Sequence, residues 1–246
     1  MTEENKPPLF QNHWAKESSA NSVERPFCDC FRSQWDEDFE WTELAIHQEI
    51  QDEFAPGWIR LVQLIDEAAS DGREEFSPLC EMTPQEWIDI VTLPPTIATL
   101  KNVTHFIIYG SSLVRIPPEI GEMTNLEEFT PYTSYRLHWF PYEILRCKKL
   151  KRSTVSTRAI YGNRKFRPPF PALPQHSNLY RPNTCSVCNT EFTGVPQQRW
   201  TSCRMGSDIV PLLVHACSES CINNIKDSHD NYILRPHCGG LGLKQP

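Results

Sequence analysis

The chain has 246 residues, 39% of them hydrophobic and 22% charged, with a net charge of −7 and a mean hydropathy of −0.48. This composition excludes wholesale disorder and leaves room for one large or two small domains. No stretch approaches the roughly 18 apolar residues of a membrane span, and the start lacks the basic and apolar regions of an export signal. A cytoplasmic protein that does not enter a membrane is therefore expected. Ten cysteines in such a compartment point to metal binding rather than to a disulfide scaffold.

The charge is unevenly spread. Residues 1–92 carry −15, residues 93–184 carry +8, and the remainder is balanced. This polarity suggests segments with different roles, or attraction between neighbouring segments.

Residues 1–30 are polar and aperiodic, the pattern of a flexible arm. From Trp35 to Phe54 the apolar residues recur at helical spacing, with Asp36, Glu37 and Asp38 placed to favour a helix amino end; Ala55-Pro56-Gly57 then breaks the pattern. A second helix is expected over Trp58–Ala69, ending at Ser70-Asp71-Gly72. A third should start at Thr83-Pro84-Gln85-Glu86, which supplies an N-cap, a proline at the first helical position and a reciprocal Glu. Residues 31–92 thus read as an acidic helical cap that includes a first degenerate repeat.

The centre is organised by repetition. Leu93-Pro94-Pro95-Thr96-Ile97, Ile116-Pro117-Pro118-Glu119-Ile120 and Phe140-Pro141-Tyr142-Glu143-Ile144 begin 23 and 24 residues apart. Around them run Val103, Phe106, Ile108, Ser111, Leu113 and Met123, then Leu126, Phe129, Pro131, Ser134 and Leu137, then Leu150, Ser153 and Val155. Over residues 76–166 this resembles the leucine-rich repeat, in its short form with a two-proline turn after the strand. The resemblance implies an α/β solenoid, with the repeats proper over 93–166. The family's usual Asn, which bonds backbone groups of adjacent turns, is replaced by Ser111, Ser134 and Arg158; serine can do part of that work and Arg158 cannot.

Strand alternation sends Phe106, Ile108, Phe129, Pro131, Ser153 and Val155 inward. The opposite set is His105, Ile107, Tyr109, Glu128, Thr130, Tyr132, Arg152, Thr154 and Ser156. Amphipathic tyrosines amid polar residues suit protein recognition, and these nine residues are the candidate binding face. The competing reading is a scaffold whose face is covered by the carboxy-terminal strap.

Pro168, Pro169, Pro171, Pro174 and Pro182 make 167–182 an extended strap. Residues 183–246 then hold a C-x2-C pair, Cys185 and Cys188, and a C-x3-C pair, Cys217 and Cys221. Four thiolates suit one structural zinc ion per chain, with no open position for catalysis. A knuckle, an apolar run over Ile209–Val214 and a C-S-x-x-C at a helix start resemble a treble-clef finger, similar to TRASH and YHS-type modules. Cys203 and His215 are rival ligands; Cys28, Cys30, Cys80, Cys147 and Cys238 are not expected to hold metal.

No phosphate-binding, dinucleotide, zinc-protease or nucleophile-elbow motif occurs, and Cys147 with His138 nine residues upstream forms no local catalytic motif. The expected function is therefore non-catalytic protein recognition by a monomer. The rival is nucleic-acid binding through the finger and the basic stretch Arg146, Lys148, Lys149, Lys151, Arg152, Arg158, Arg164, Lys165 and Arg167. The duller alternatives for that stretch are a solvated face or a partner for the acidic amino-terminal segment.

Overall fold

The computed structural model describes residues 44–155, 161, 168–178, 180–205, 208–229, 232–243 and 246. The expected amino-terminal arm, with Cys28 and Cys30, lies outside the described residues, as do Ser156, Arg158, Arg164, Lys165 and Arg167.

The helix expected over Trp35–Phe54 does not form in its described part: residues 44–54 run without helix, and Ile50 and Phe54 are exposed. Tertiary bonds hold this segment extended. Gln51 accepts from the Val91 N–H (2.9 Å) and donates to the Asp89 carbonyl (3.1 Å), and Arg115 donates to the Glu49 carbonyl (2.6 Å).

Pro56 does not break a helix but begins one. Its fixed φ and missing N–H suit the first turn, and α1 spans Pro56–Asp71, burying Leu61, Leu64, Ile65 and Ala68. Gly72, at φ 70°, ends it by donating its N–H to the Ala68 carbonyl. Helix α2 (Pro84–Ile88) opens with the expected capping box: the Glu86 N–H reaches Thr83 Oγ1 (3.3 Å), and Glu86 Oε2 accepts from the Thr83 N–H (2.7 Å).

Four short strands form a parallel sheet in the order β1 (Glu75–Phe76), β2 (His105–Ile107), β3 (Glu128–Thr130), β5 (Arg152–Ser153). Glu75 pairs with His105, His105 with Glu128, and Glu128 with Arg152. Each repeated proline segment becomes a 3-10 turn, at Pro95–Thr99, Pro118–Glu122 and Tyr142–Arg146, and buries Ile97, Ile120 and Ile144 at equivalent places. The inward set named from alternation is buried throughout. Phe106 stacks between Phe76 (5.6 Å) and Phe129 (5.7 Å).

The serines work as the sequence suggests. Ser111 Oγ donates to Ser134 Oγ (2.7 Å), which takes the Ser111 N–H (3.1 Å) and donates to the Ile108 carbonyl (3.1 Å). Two buried hydroxyls thus stitch adjacent turns.

The α/β solenoid with a small treble-clef-like module is nevertheless not the architecture formed. A second sheet, in the order β4 (Phe140–Pro141), β7 (Asp208–Ala216), β6 (Gln197–Met205), combines parallel and antiparallel pairing. Only three α-helices occur among the described residues, the third being α3 (Glu219–Asn223). The molecule is a mixed α/β fold. The long hairpin β6–β7 is joined to the third proline segment, because Phe140 pairs with Leu212 and Pro141 with Leu213.

The proline strap packs onto that second sheet. Phe170 and Leu173 join Trp139, Tyr161, Trp200 and Leu213 in a core of their own, and Trp200 Nε1 donates to the Pro171 carbonyl (2.9 Å). Trp139 and Phe170 are thus packing residues. No helix among the described residues is long and apolar enough to cross a membrane.

Candidate functional site

The four cysteines converge. Cys185 and Cys188 lie on a tight knuckle: the Asn189 N–H donates to the Cys185 carbonyl (2.9 Å), and the Cys185 N–H to the Thr190 carbonyl (2.8 Å). Asn189 takes the left-handed conformation (φ 60°) that lets the chain reverse, and its side chain accepts from the Thr184 hydroxyl (3.0 Å). On the other side, Cys217 follows the end of β7 and Cys221 lies in α3, whose N-cap Ser218 accepts from the Cys221 N–H (3.3 Å).

Hairpin and helix bring the two pairs together. The four Sγ atoms lie within 4.8 Å of one another, with Cys188–Cys217 at 3.7 Å and Cys217–Cys221 at 3.5 Å. These separations far exceed a disulfide bond. They match the sulfur–sulfur edge of about 3.8 Å for a tetrahedron with metal–sulfur bonds of about 2.3 Å.

The electrostatics of the cluster favour a cation. Hydrogen bonding with Thr190, whose hydroxyl is 3.4 Å away, pulls the Cys188 thiol down to about 6. Burial pushes Cys217 up and Cys221 up to about 12. Four adjacent thiolates need positive charge between them, which a divalent ion supplies. The donor set and its spacing can therefore hold a metal ion.

The rival ligands sit elsewhere. His215 Nε2 is 2.8 Å from Gln198 Nε2, and Cys203, whose thiol burial pushes up, lies against the Arg204 carbonyl. Cys147 donates to the Ile120 carbonyl (3.2 Å), whereas His138 stacks on Tyr161 (5.0 Å) and His47 (5.4 Å).

The candidate binding residues share the outer face of the parallel sheet. His105, Ile107, Glu128 and Thr130 are half-buried, and Arg152 and Thr154 are exposed. Tyr109 and Tyr132 keep 37% and 43% of their surface, with ring centres 5.8 Å apart. Beside them His105 lies between Glu75 (3.4 Å) and Glu128 (3.7 Å), and Arg152 reaches Glu128 (3.1 Å). Two tyrosines beside a row of polar and charged side chains share this face, with Ile107 contributing little exposed surface. Ser156 is the one member outside the described residues.

The described part of the basic stretch meets acids close at hand: Lys151 pairs with Glu127 (3.2 Å), Arg152 with Glu128 and Arg146 with Glu122 (3.9 Å). Lys149 donates to Asn125 (2.7 Å). The attraction expected toward residues 1–92 appears instead at Arg136, which pairs with Glu49.

One feature escapes the sequence pattern. Glu143 occupies the same repeat position as the half-buried Glu119, yet it is 2% exposed. Burial pushes its carboxyl up, opposed in part by the nearby Ser186 hydroxyl, and neither carboxylate oxygen has a hydrogen bond of good geometry. The third copy differs from the second in that β4, just before it, pairs with the distant β7. No family model and no curated protein matches the chain.

Proposed function

We propose that the protein is a non-catalytic recognition module whose working surface is the outer face of the parallel sheet, centred on Tyr109 and Tyr132. The pair of adjacent exposed tyrosines carries this reading. Tyrosine offers large apolar area with a polar tip at low entropic cost, the profile of a binding hot spot, and His105, Glu128 and Arg152 beside it supply polar contacts. In this reading the four cysteines hold one zinc ion, which closes Thr184–Glu191 onto α3 and braces the hairpin without taking part in chemistry.

Affinity capture of the tagged chain from its own host tests the reading, beside a Tyr109→Ala/Tyr132→Ala variant. A protein retained by the wild type and lost in the variant supports it, provided the variant keeps its fold and metal. Nucleic acid retained equally by both, and released by salt, replaces it.

A further inference from the structure

The cysteine cluster is tied to the repeat layer through one serine. Ser186 stands between Cys185 and Val187 on the knuckle and is almost wholly buried. Its N–H donates to the His215 carbonyl (2.9 Å), and its Oγ accepts the His215 N–H (3.0 Å). These two bonds register the first cysteine pair against the end of β7, two residues before Cys217. The Cys217 N–H in turn reaches Cys185 Sγ (3.4 Å). Having accepted one N–H, the Ser186 hydroxyl still has its own proton to donate.

The group it meets is the Glu143 carboxyl, which comes from a distant part of the chain, the 3-10 turn Tyr142–Arg146. Both carboxylate oxygens are shut off from solvent and make no hydrogen bond of good geometry with any described residue, which leaves the Ser186 hydroxyl to offset part of their burial. Arg146 and Glu119 are the other charged groups that act on them. The turn carrying Glu143 is itself held closely, since a Cβ on Gly121 of the preceding turn would sit 2.5 Å from the Glu143 carbonyl oxygen. Burying an acid is costly, and Glu119, at the same place in the preceding copy, stays half-buried. The acid of the third copy is the one that meets a hydroxyl of the cysteine knuckle.

We propose that Ser186 and Glu143 are positioning residues of the metal centre: Ser186 fixes the knuckle against β7, and Glu143 fixes the Ser186 hydroxyl, so that metal affinity depends on a side chain of the repeat layer. This inference rests on the reading that the four cysteines hold zinc. Groups that hold a ligand-bearing segment in place set how much order the metal must impose on it, and their loss typically costs about 10–100-fold in metal affinity.

The test uses the full chain, with zinc affinity measured by competition with a chromophoric chelator. Ser186→Ala and Glu143→Leu should each weaken zinc binding by about tenfold or more. The double variant should lose little beyond Ser186→Ala alone, because the two residues act through one contact. Glu143→Gln, which keeps an acceptor oxygen, should stay nearer the wild type than Glu143→Leu, and Glu119→Leu in the preceding copy should leave the affinity unchanged. In the zinc-free chain Glu143→Leu should melt no lower than the wild type, since it removes a buried acid. A weaker zinc affinity accompanied by a lower zinc-free melting temperature is general destabilisation and overturns the proposal. Wild-type affinity in Glu143→Leu, or losses that add in the double variant, overturn it too. A wild type that takes up no zinc refutes the metal reading itself, a result distinct from variants that bind zinc as tightly as the wild type does.

Discussion

Replacing Phe106 by Ala tests whether the stacked phenylalanines are the centre of the parallel layer. The ring is wholly buried, and its centre lies 5.6 Å from Phe76 and 5.7 Å from Phe129, so truncation removes two ring contacts and leaves a cavity between neighbouring strands. Strand β2 pairs on both sides, with β1 and with β3, which limits how far the backbone can collapse into the space. Buried Phe→Ala changes cost about 3–5 kcal/mol, with the upper part expected where relaxation is hindered. For a chain of this size that lowers the melting temperature by about 10 °C, at roughly 2–4 °C per kcal/mol. Urea denaturation followed by tryptophan fluorescence gives the free energy, and Tyr109→Ala, on the exposed face, serves as the control at under about 1 kcal/mol. Equal losses for the two variants would refute the stacking argument.

Other outcomes follow from the same geometry. Cys221→Ser should lower bound metal from about one ion per chain to a small fraction, measured by elemental mass spectrometry, and should lower the melting temperature; unchanged content would remove Cys221 from the ligand set. Gly121→Ala should cost about 1–3 kcal/mol, because a Cβ there would sit 2.5 Å from the Glu143 carbonyl oxygen and force apart two successive 3-10 turns. Burial holds the His237 imidazole down at about 4, and its Nδ1 accepts from the Gly239 N–H (3.1 Å). A folded-state value below the unfolded 6.5 means the unfolded chain binds more protons. Stability is then intact above pH 6.5 and falls as pH drops toward 4, by at most about 3 kcal/mol. His237→Phe should flatten that part of the acid profile relative to wild type in pH-dependent denaturation.

Local signals in the sequence were informative wherever short-range chemistry decides structure. The capping box at Thr83, the proline-led turns burying Ile97, Ile120 and Ile144, and the inward set containing Phe106 and Phe129 all depend on residues a few positions apart. The cysteine pairs were legible for the same reason, since each pair is a local turn or helix spacing, and the fold brings their four sulfurs within 4.8 Å of one another. What the pattern could not supply was set by distant partners. The helical periodicity before Phe54 lost to bonds between Glu49 or Gln51 and residues 38 to 87 positions away. The solenoid expectation failed where β7 added itself to β4, a pairing across some 70 residues, next to a copy whose Glu143 is buried. The repeat alone places Glu119 and Glu143 in equivalent surroundings, yet only Glu143 is buried.

The most direct test of the recognition surface is site-specific photocrosslinking in the native host. A benzophenone amino acid is placed at Tyr109 or Tyr132, or at Ile59 or Val195, which are comparably exposed at 49% and 51% but lie outside the tyrosine face. The account predicts one discrete protein adduct from the two tyrosine positions and none from Ile59 or Val195. Adducts of equal yield from all four positions, or adducts from Ile59 or Val195 alone, would contradict it.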